Sequence, residues 1–210
     1  MCNVIPGILE KNWNDVEAKI KLLFPFTKTL HIDIADGIAT NNTTFLDPRP
    51  FAKYKDHFFL ELHMMVEEPI KYLQPFADAG FKRFLGHVEK MSSQEEFVAE
   101  GQILGEVGLA LDGPTELSAI KVPYDDLDGM LFYTCGKMGF SGPPMLSERL
   151  EKVKAFRLAS NLPIEVDGGV KDTTLSLAKE AGATRFVATS FISGAQNPRE
   201  AYERLVLLAR

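Results

Sequence analysis

His31-Ile32-Asp33-Ile34-Ala35-Asp36-Gly37 alternates polar and apolar residues with the period of two that marks a strand. His31, Asp33 and Ala35 therefore share one face, and Ile32 and Ile34 the other. The apolar face suits a cover of helices, which turns the imidazole and the carboxylate toward a confined interior. Asp36-Gly37 ends the strand in a turn. A lone pair of this kind also fits an ordinary strand with a hydrogen-bonded core histidine, but the pattern recurs. Residues 58–65 place Glu61, His63 and Met65 on one face, and residues 163–169 do the same with Glu165 and Asp167. Each ends in ligand-type side chains just before a loop.

Around these strands the chain reads as eight strand-helix units. Strands are expected at 3–9, 29–34, 58–65, 82–88, 106–111, 128–134, 163–167 and 185–188. Helical patterns follow at 14–23, from Glu68-Pro69 to Ala79-Gly80, from Ser92 onward, briefly at 116–120, at 147–159, from Lys171-Asp172 to Ala181-Gly182, and at 198–208. Strands alternating with helices at this spacing imply a parallel sheet, and eight units imply a single closed (β/α)8 TIM barrel spanning residues 1–210. Active sites of that fold sit on loops at the carboxyl ends of the strands, where His31, Asp33, His63 and Asp167 fall. The connection from 35 to 50 is long and polar, with Asn41, Asn42, Thr43 and Thr44, and such loops usually carry a function. His87 shares a strand face with Arg83, Leu85 and Glu89 and reads as a satisfied interior histidine. His57 reads as a surface residue.

The 210 residues include 23 basic and 29 acidic side chains, a net charge of −6, which leaves no electrostatic footprint for nucleic acid or an anionic membrane. An anionic substrate must then be held by local donors. Cys2 and Cys135 are the only thiols and have no paired spacing, so a disulfide framework and a cysteine zinc site are not expected. No targeting segment or apolar run of transmembrane length is visible, and a cytoplasmic location is the expectation. Assembly into a homo-oligomer stays open.

His31 to Gly37, Glu61-Leu-His63-Met64-Met65-Val66 with Pro69, and Glu165-Val-Asp167-Gly168-Gly169 together resemble ribulose-phosphate 3-epimerases. The likeness extends to Pro6-Gly7-Ile8-Leu9, Asn42-Thr43-Thr44-Phe45, Gly139-Phe140 and Val187-Ala188-Thr189-Ser190. It implies an isomerase of carbohydrate metabolism that inverts carbon 3 of a ketose phosphate through an enediolate. The default pair is ribulose 5-phosphate and xylulose 5-phosphate, of the pentose phosphate pathway, with allulose 6-phosphate as a rival substrate. Asp33 and Asp167 match the proton-transfer pair. With His31 and His63 they also match the ligands of one divalent metal, and two imidazoles with two carboxylates suit zinc, iron or manganese. The competing arrangement is a hydrogen-bonded polar layer without metal, although inward His and carboxylate groups are costly to bury uncompensated. Glu61 and Glu165 are expected to orient His63 and Asp167.

The resemblance places phosphate binding on backbone amides of Gly139, Phe140, Ser141 and Gly142, then Gly168 and Gly169, then Thr189 and Ser190. Met65 is the one methionine kept beside the enediolate. Three positions depart from the family pattern: Gly7 stands where a serine hydroxyl meets substrate, and Ala35 and Thr134 stand where methionines are expected. Loop residues Phe140-Ser141-Gly142-Pro143 replace Phe-Gly-Gly-Gln. The wall should therefore be more open and accept a larger ketose phosphate. A lyase or decarboxylase on the same barrel would carry a lysine where Ile34 or Ala35 stands, and a non-catalytic sugar-phosphate-binding homologue is the third reading.

Overall fold

A computed structural model describes residues 3–210; Cys2 lies outside them. Eight parallel strands pair in sequence order and close on themselves: β1 (Asn3–Ile8), β2 (Thr29–Ala35), β3 (Phe59–Met65), β4 (Phe81–His87), β5 (Glu106–Leu111), β6 (Gly129–Tyr133), β7 (Ile164–Asp167) and β8 (Arg185–Ala188). Closure is made by β8 against β1, with Pro6 level with Ala188. The chain is a TIM barrel, as its periodicity implies.

Seven helices surround it: α1 (Trp13–Leu23), α2 (Ile70–Asp78), α3 (Gln94–Leu104), α4 (Leu150–Ala159), α5 (Leu175–Glu180), α6 (Ser190–Ser193) and α7 (Pro198–Ala209). Their starts follow local chemistry. Asn12 accepts from the Asp15 amide at 3.1 Å, Ser93 caps α3 through the Glu96 amide, and Asn197 precedes Pro198 at the first turn of α7. Helix α5 begins at Leu175, later than the acidic Asp172 suggests, because Thr174 folds back to the Lys171 amide and delays the first helical turn. The segment after β5 holds two short 3₁₀ turns, at Leu117–Ala119 and Tyr124–Asp126, in place of a helix, and the one-turn α6 has no sequence periodicity to reveal it.

Outward strand residues such as Ile32, Ile34, Leu60, Leu62, Val107, Leu109 and Val166 join the helices in one continuous apolar layer. Each fully buried side chain there contributes about 1.5–3 kcal/mol. The inward faces are different. Pairing of β2 with β3 sets His31 level with Glu61, Asp33 with His63 and Ala35 with Met65, while β6, β7 and β8 set Tyr133 level with Asp167 and Glu165 level with Arg185. The interior thus carries polar layers, with Glu165 and Arg185 near the amino ends of their strands and Asp33, His63 and Asp167 toward the carboxyl ends. Among the described residues no helix is long and apolar enough to cross a membrane.

Candidate active site

At the barrel mouth one donor atom from each of His31, Asp33, His63 and Asp167 lies within 4.8 Å of the others, and all four residues are buried. His31 Nε2 stands 3.3 Å from Asp33 Oδ1; His63 Nδ1 stands 2.8 Å from the same oxygen and 3.4 Å from Asp167 Oδ2. Donors that share a transition metal at roughly 2.0–2.2 Å stand about 3 to 3.5 Å apart, so the spacing fits a cation.

The imidazoles are also turned the right way. His31 Nδ1 lies 2.8 Å from Glu61 Oε1, an oxygen that can only accept, so Nδ1 holds a proton and Nε2 faces the cluster. That Nε2 is buried with no hydrogen-bond partner, an orphan that a metal ion would satisfy. His87 Nδ1 is 3.1 Å from Glu89 Oε2, and Glu89 Oε1 in turn accepts from the Asp112 amide at 2.8 Å. His87 Nε2 then faces His63 Nε2 at 2.9 Å as an acceptor, which leaves His63 Nδ1 aimed at the two aspartates. Both histidines are thus oriented from behind by a carboxylate or an imidazole-carboxylate pair.

The field in the pocket favours positive charge. Burial works against ionisation of Asp33, but His31 and His63 outweigh it and hold its carboxyl down at about 2. Burial and then the charge of Asp33 push Asp167 upward. Burial works against a charged His31, yet Asp33, Glu165 and Glu61 outweigh it and hold the imidazole well above its ordinary value. A divalent cation at this point compensates both carboxylates.

Two expectations are corrected by the geometry. Glu61 and Glu165 do not orient His63 and Asp167: both reach His31 Nδ1, at 2.8 and 3.2 Å, and both are held by Arg185, with Arg83 Nη1 on Glu61 at 2.7 Å. Thr134 does not line the wall, because β6 ends one residue earlier and the Thr134 hydroxyl donates to the Gly168 carbonyl at 2.6 Å. The inward place belongs to Tyr133, whose hydroxyl donates to the Lys137 carbonyl at 3.0 Å. At position 7, where the serine hydroxyl is missing, a Cβ would fall 2.3 Å from Thr189 Oγ1.

The cleft above the cluster is lined by Asp33, Asp167, Met65, Phe140, Ser141, Gly142, Gly168, Gly169, Thr189 and Ser190, with Leu9, Tyr133 and Cys135 added by the fold. Gly7 and Gly139 lie outside it. Gly139 instead fastens the loop after β6 to the loop after β2: its carbonyl accepts from Asn42 Nδ2 at 2.6 Å, and the Thr40 hydroxyl donates to Met138 O at 2.8 Å. Gly168 and Gly169 adopt φ of 108° and 72°. A Cβ on Gly169 would come 2.2 Å from the Met145 amide nitrogen, so the turn bordering the cleft admits only glycine there. Burial pushes the Cys135 thiol up to about 12, and its Sγ donates to Pro143 O at 3.1 Å; it is a packing group. A wider cavity opens at the amino ends of the strands among Arg83, Glu106, Glu165 and Arg185, whose charges are already paired.

The family described as Ribulose-phosphate 3 epimerase family matches residues 3–193 of the chain. A ribulose-phosphate 3-epimerase of Schizosaccharomyces pombe is 30% identical over 205 residues, covering 94% of this chain and 89% of its own. The cytoplasmic isoform of Oryza sativa subsp. japonica is 34% identical over 211 residues, covering 96% and 92%, and the Bacillus subtilis protein is 30% identical over 222, covering 98% of each. Among solved structures, a 3-hexulose-6-phosphate synthase from Salmonella typhimurium superposes with a TM-score of 0.74 at 10% identity, covering 99% of this chain and 98% of that one. A 3-keto-L-gulonate-6-phosphate decarboxylase from Vibrio cholerae gives 0.74 at 12%, covering 99% and 96%. Likeness at that identity speaks for the fold alone.

Proposed function

The chain belongs to the ribulose-phosphate 3-epimerase family, isomerases acting on carbohydrates, and from that premise we propose that it inverts carbon 3 of a ketose phosphate by proton transfer between Asp33 and Asp167. The observation that carries this reading is the juxtaposition of those two buried carboxylates, from opposite arcs of the barrel, at one cleft. Inversion needs a base on one face of the carbon and an acid on the other. The imidazoles hold the Asp33 carboxyl down, while burial and the charge of Asp33 push Asp167 up, so the two carboxyls differ in basicity.

His31, Asp33, His63 and Asp167 would hold one divalent cation, with zinc, iron and manganese fitting the donor set. When bound, the ion supplies positive charge beside the oxygen that becomes anionic as carbon 3 loses its proton. Met65 and Tyr133 exclude water from the reacting carbon. Backbone amides around Ser141, Gly142, Gly168, Gly169, Thr189 and Ser190 are the phosphate donors. Ribulose 5-phosphate and xylulose 5-phosphate are the default pair, and Tyr133, filling the wall that a smaller residue would open, favours them. Ala35 leaves room on the opposite side and keeps allulose 6-phosphate as the rival. Ile34 and Ala35, without a lysine at that strand end, weigh against lyase or decarboxylase chemistry. A cytoplasmic setting belongs to the same reading.

Incubation with ribulose 5-phosphate in deuterated water tests it. Deuterium at carbon 3 together with xylulose 5-phosphate is expected. Binding without exchange, at full metal occupancy, would replace an enzyme by a sugar-phosphate-binding homologue.

A further inference from the structure

Gly7 and Thr189 are neighbours across the seam that closes the barrel, one residue beyond the level pair of Pro6 and Ala188. The space a side chain at position 7 would need is taken by Thr189, whose Oγ1 lies 2.3 Å from where a Gly7 Cβ would stand. The Thr189 backbone is fixed in this pose: its carbonyl accepts from the Ser193 amide and the Ser193 hydroxyl, both at 2.9 Å. Two other hydroxyls near the mouth are spent on the fold. Thr44 Oγ1 takes the Ala35 amide at 2.8 Å and Thr134 Oγ1 donates to Gly168. Thr189 Oγ1 has no hydrogen-bond partner among the described residues, is half-buried, and borders the cleft that holds Asp33 and Asp167.

We propose that the Thr189 hydroxyl hydrogen-bonds an oxygen of the bound ketose at the β1–β8 side of the mouth, a substrate contact for which Gly7 makes room. The inference rests on the ketose-phosphate reading above and adds a side-chain contact to the amide donors assigned there. A sugar entering this cleft loses water from its hydroxyls, and each one left unpaired costs affinity. A fixed hydroxyl with spare donor and acceptor capacity answers that need and discriminates against ligands lacking the matching oxygen.

Thr189→Val keeps the shape and removes the hydroxyl. It is expected to raise KM for ribulose 5-phosphate about three- to tenfold with kcat little changed, since a contact made equally before and during reaction is uniform binding. Metal content and melting temperature should stay as in the wild type, and Thr189→Ser should restore KM. Gly7→Ala would overlap the same hydroxyl and should also raise KM. An unchanged KM in Thr189→Val, or a raised KM that Thr189→Ser does not restore, overturns the inference while the epimerase reading stands. Wild-type protein that neither binds nor turns over a ketose phosphate overturns the reading of function, and this contact with it.

Discussion

Asp33 and Asp167 occupy one buried cluster, yet the imidazoles hold the first down and the charge of the first pushes the second up. Asp33→Asn and Asp167→Asn should each lower net inversion by about 10²-fold or more. Because both also belong to the proposed metal set, the informative comparison is made on variants shown by metal analysis to stay loaded. One remaining carboxylate should still allow slow exchange of the proton on its own face without inversion, and equal inversion by either variant would remove the two-carboxylate assignment. At this scale the sequence was readable wherever alternation decides the face of a strand, as for His31, Asp33, His63 and Asp167. It failed where a single residue or the register between strands decides. Thr134 and Tyr133 differ by one position, and only the end of β6 at Tyr133 tells which points inward. Glu61 was legible as an inward carboxylate, but its partner His31 follows from the level pairing of β2 with β3, which no local pattern encodes.

The segment from β4 into its following turn supplies a support that the sequence left as a bland histidine. His87 and Glu89, two residues apart, reach the back of His63 and the Asp112 amide. Burial opposes the charge on Glu89, but its hydrogen bond to His87 outweighs this and holds the carboxyl at about 2, below its ordinary 4.5. A carboxylate with a depressed folded-state value stabilises the fold fully above about 4.5 and ceases to do so as pH falls toward about 2. Glu89→Gln should therefore lower stability by about 1 kcal/mol at pH 7, and denaturant midpoints of variant and wild type should converge below pH 4.5. A gap that stays constant to pH 3 would deny that the Glu89 charge supports the fold through this hydrogen bond. The length and polarity of the loop after β2 were legible, but its latch on the loop after β6, through Asn42 and Thr40, joins residues nearly a hundred apart and shows only in the fold. Asn42→Ala should loosen the loop after β6, seen as faster proteolytic cleavage between residues 136 and 144 that added ribulose 5-phosphate slows. Cleavage at the wild-type rate would leave the latch without a role.

For the whole barrel, the proposed ligand set joins β2, β3 and β7, strands drawn from both halves of the sequence, and so ties the closure of the cylinder to the occupation of one point. The eight-unit rhythm was legible because each unit repeats the same covered strand and amphipathic helix; what joins the units at the mouth was legible only as residue types. An ion that binds the closed barrel and has no comparable site in the unfolded chain stabilises the folded state by about 2.7 kcal/mol at one hundred times its dissociation constant. In a chain of this size each kcal/mol moves the melting temperature by roughly 2–4 °C, so loading with zinc or manganese should raise it by about 5–10 °C over protein stripped with a chelator. His63→Ala removes one of four donors and leaves the apolar layer outside the strands intact. It should fold with the same circular dichroism, take up less metal, and lose most of that increment. The two melting curves of the stripped proteins set the baseline against which that loss is measured. Equal melting temperatures for loaded and stripped wild-type protein, or an undiminished increment in His63→Ala, would mean that the four side chains form a hydrogen-bonded layer and that the closure of the barrel owes nothing to a metal at its mouth.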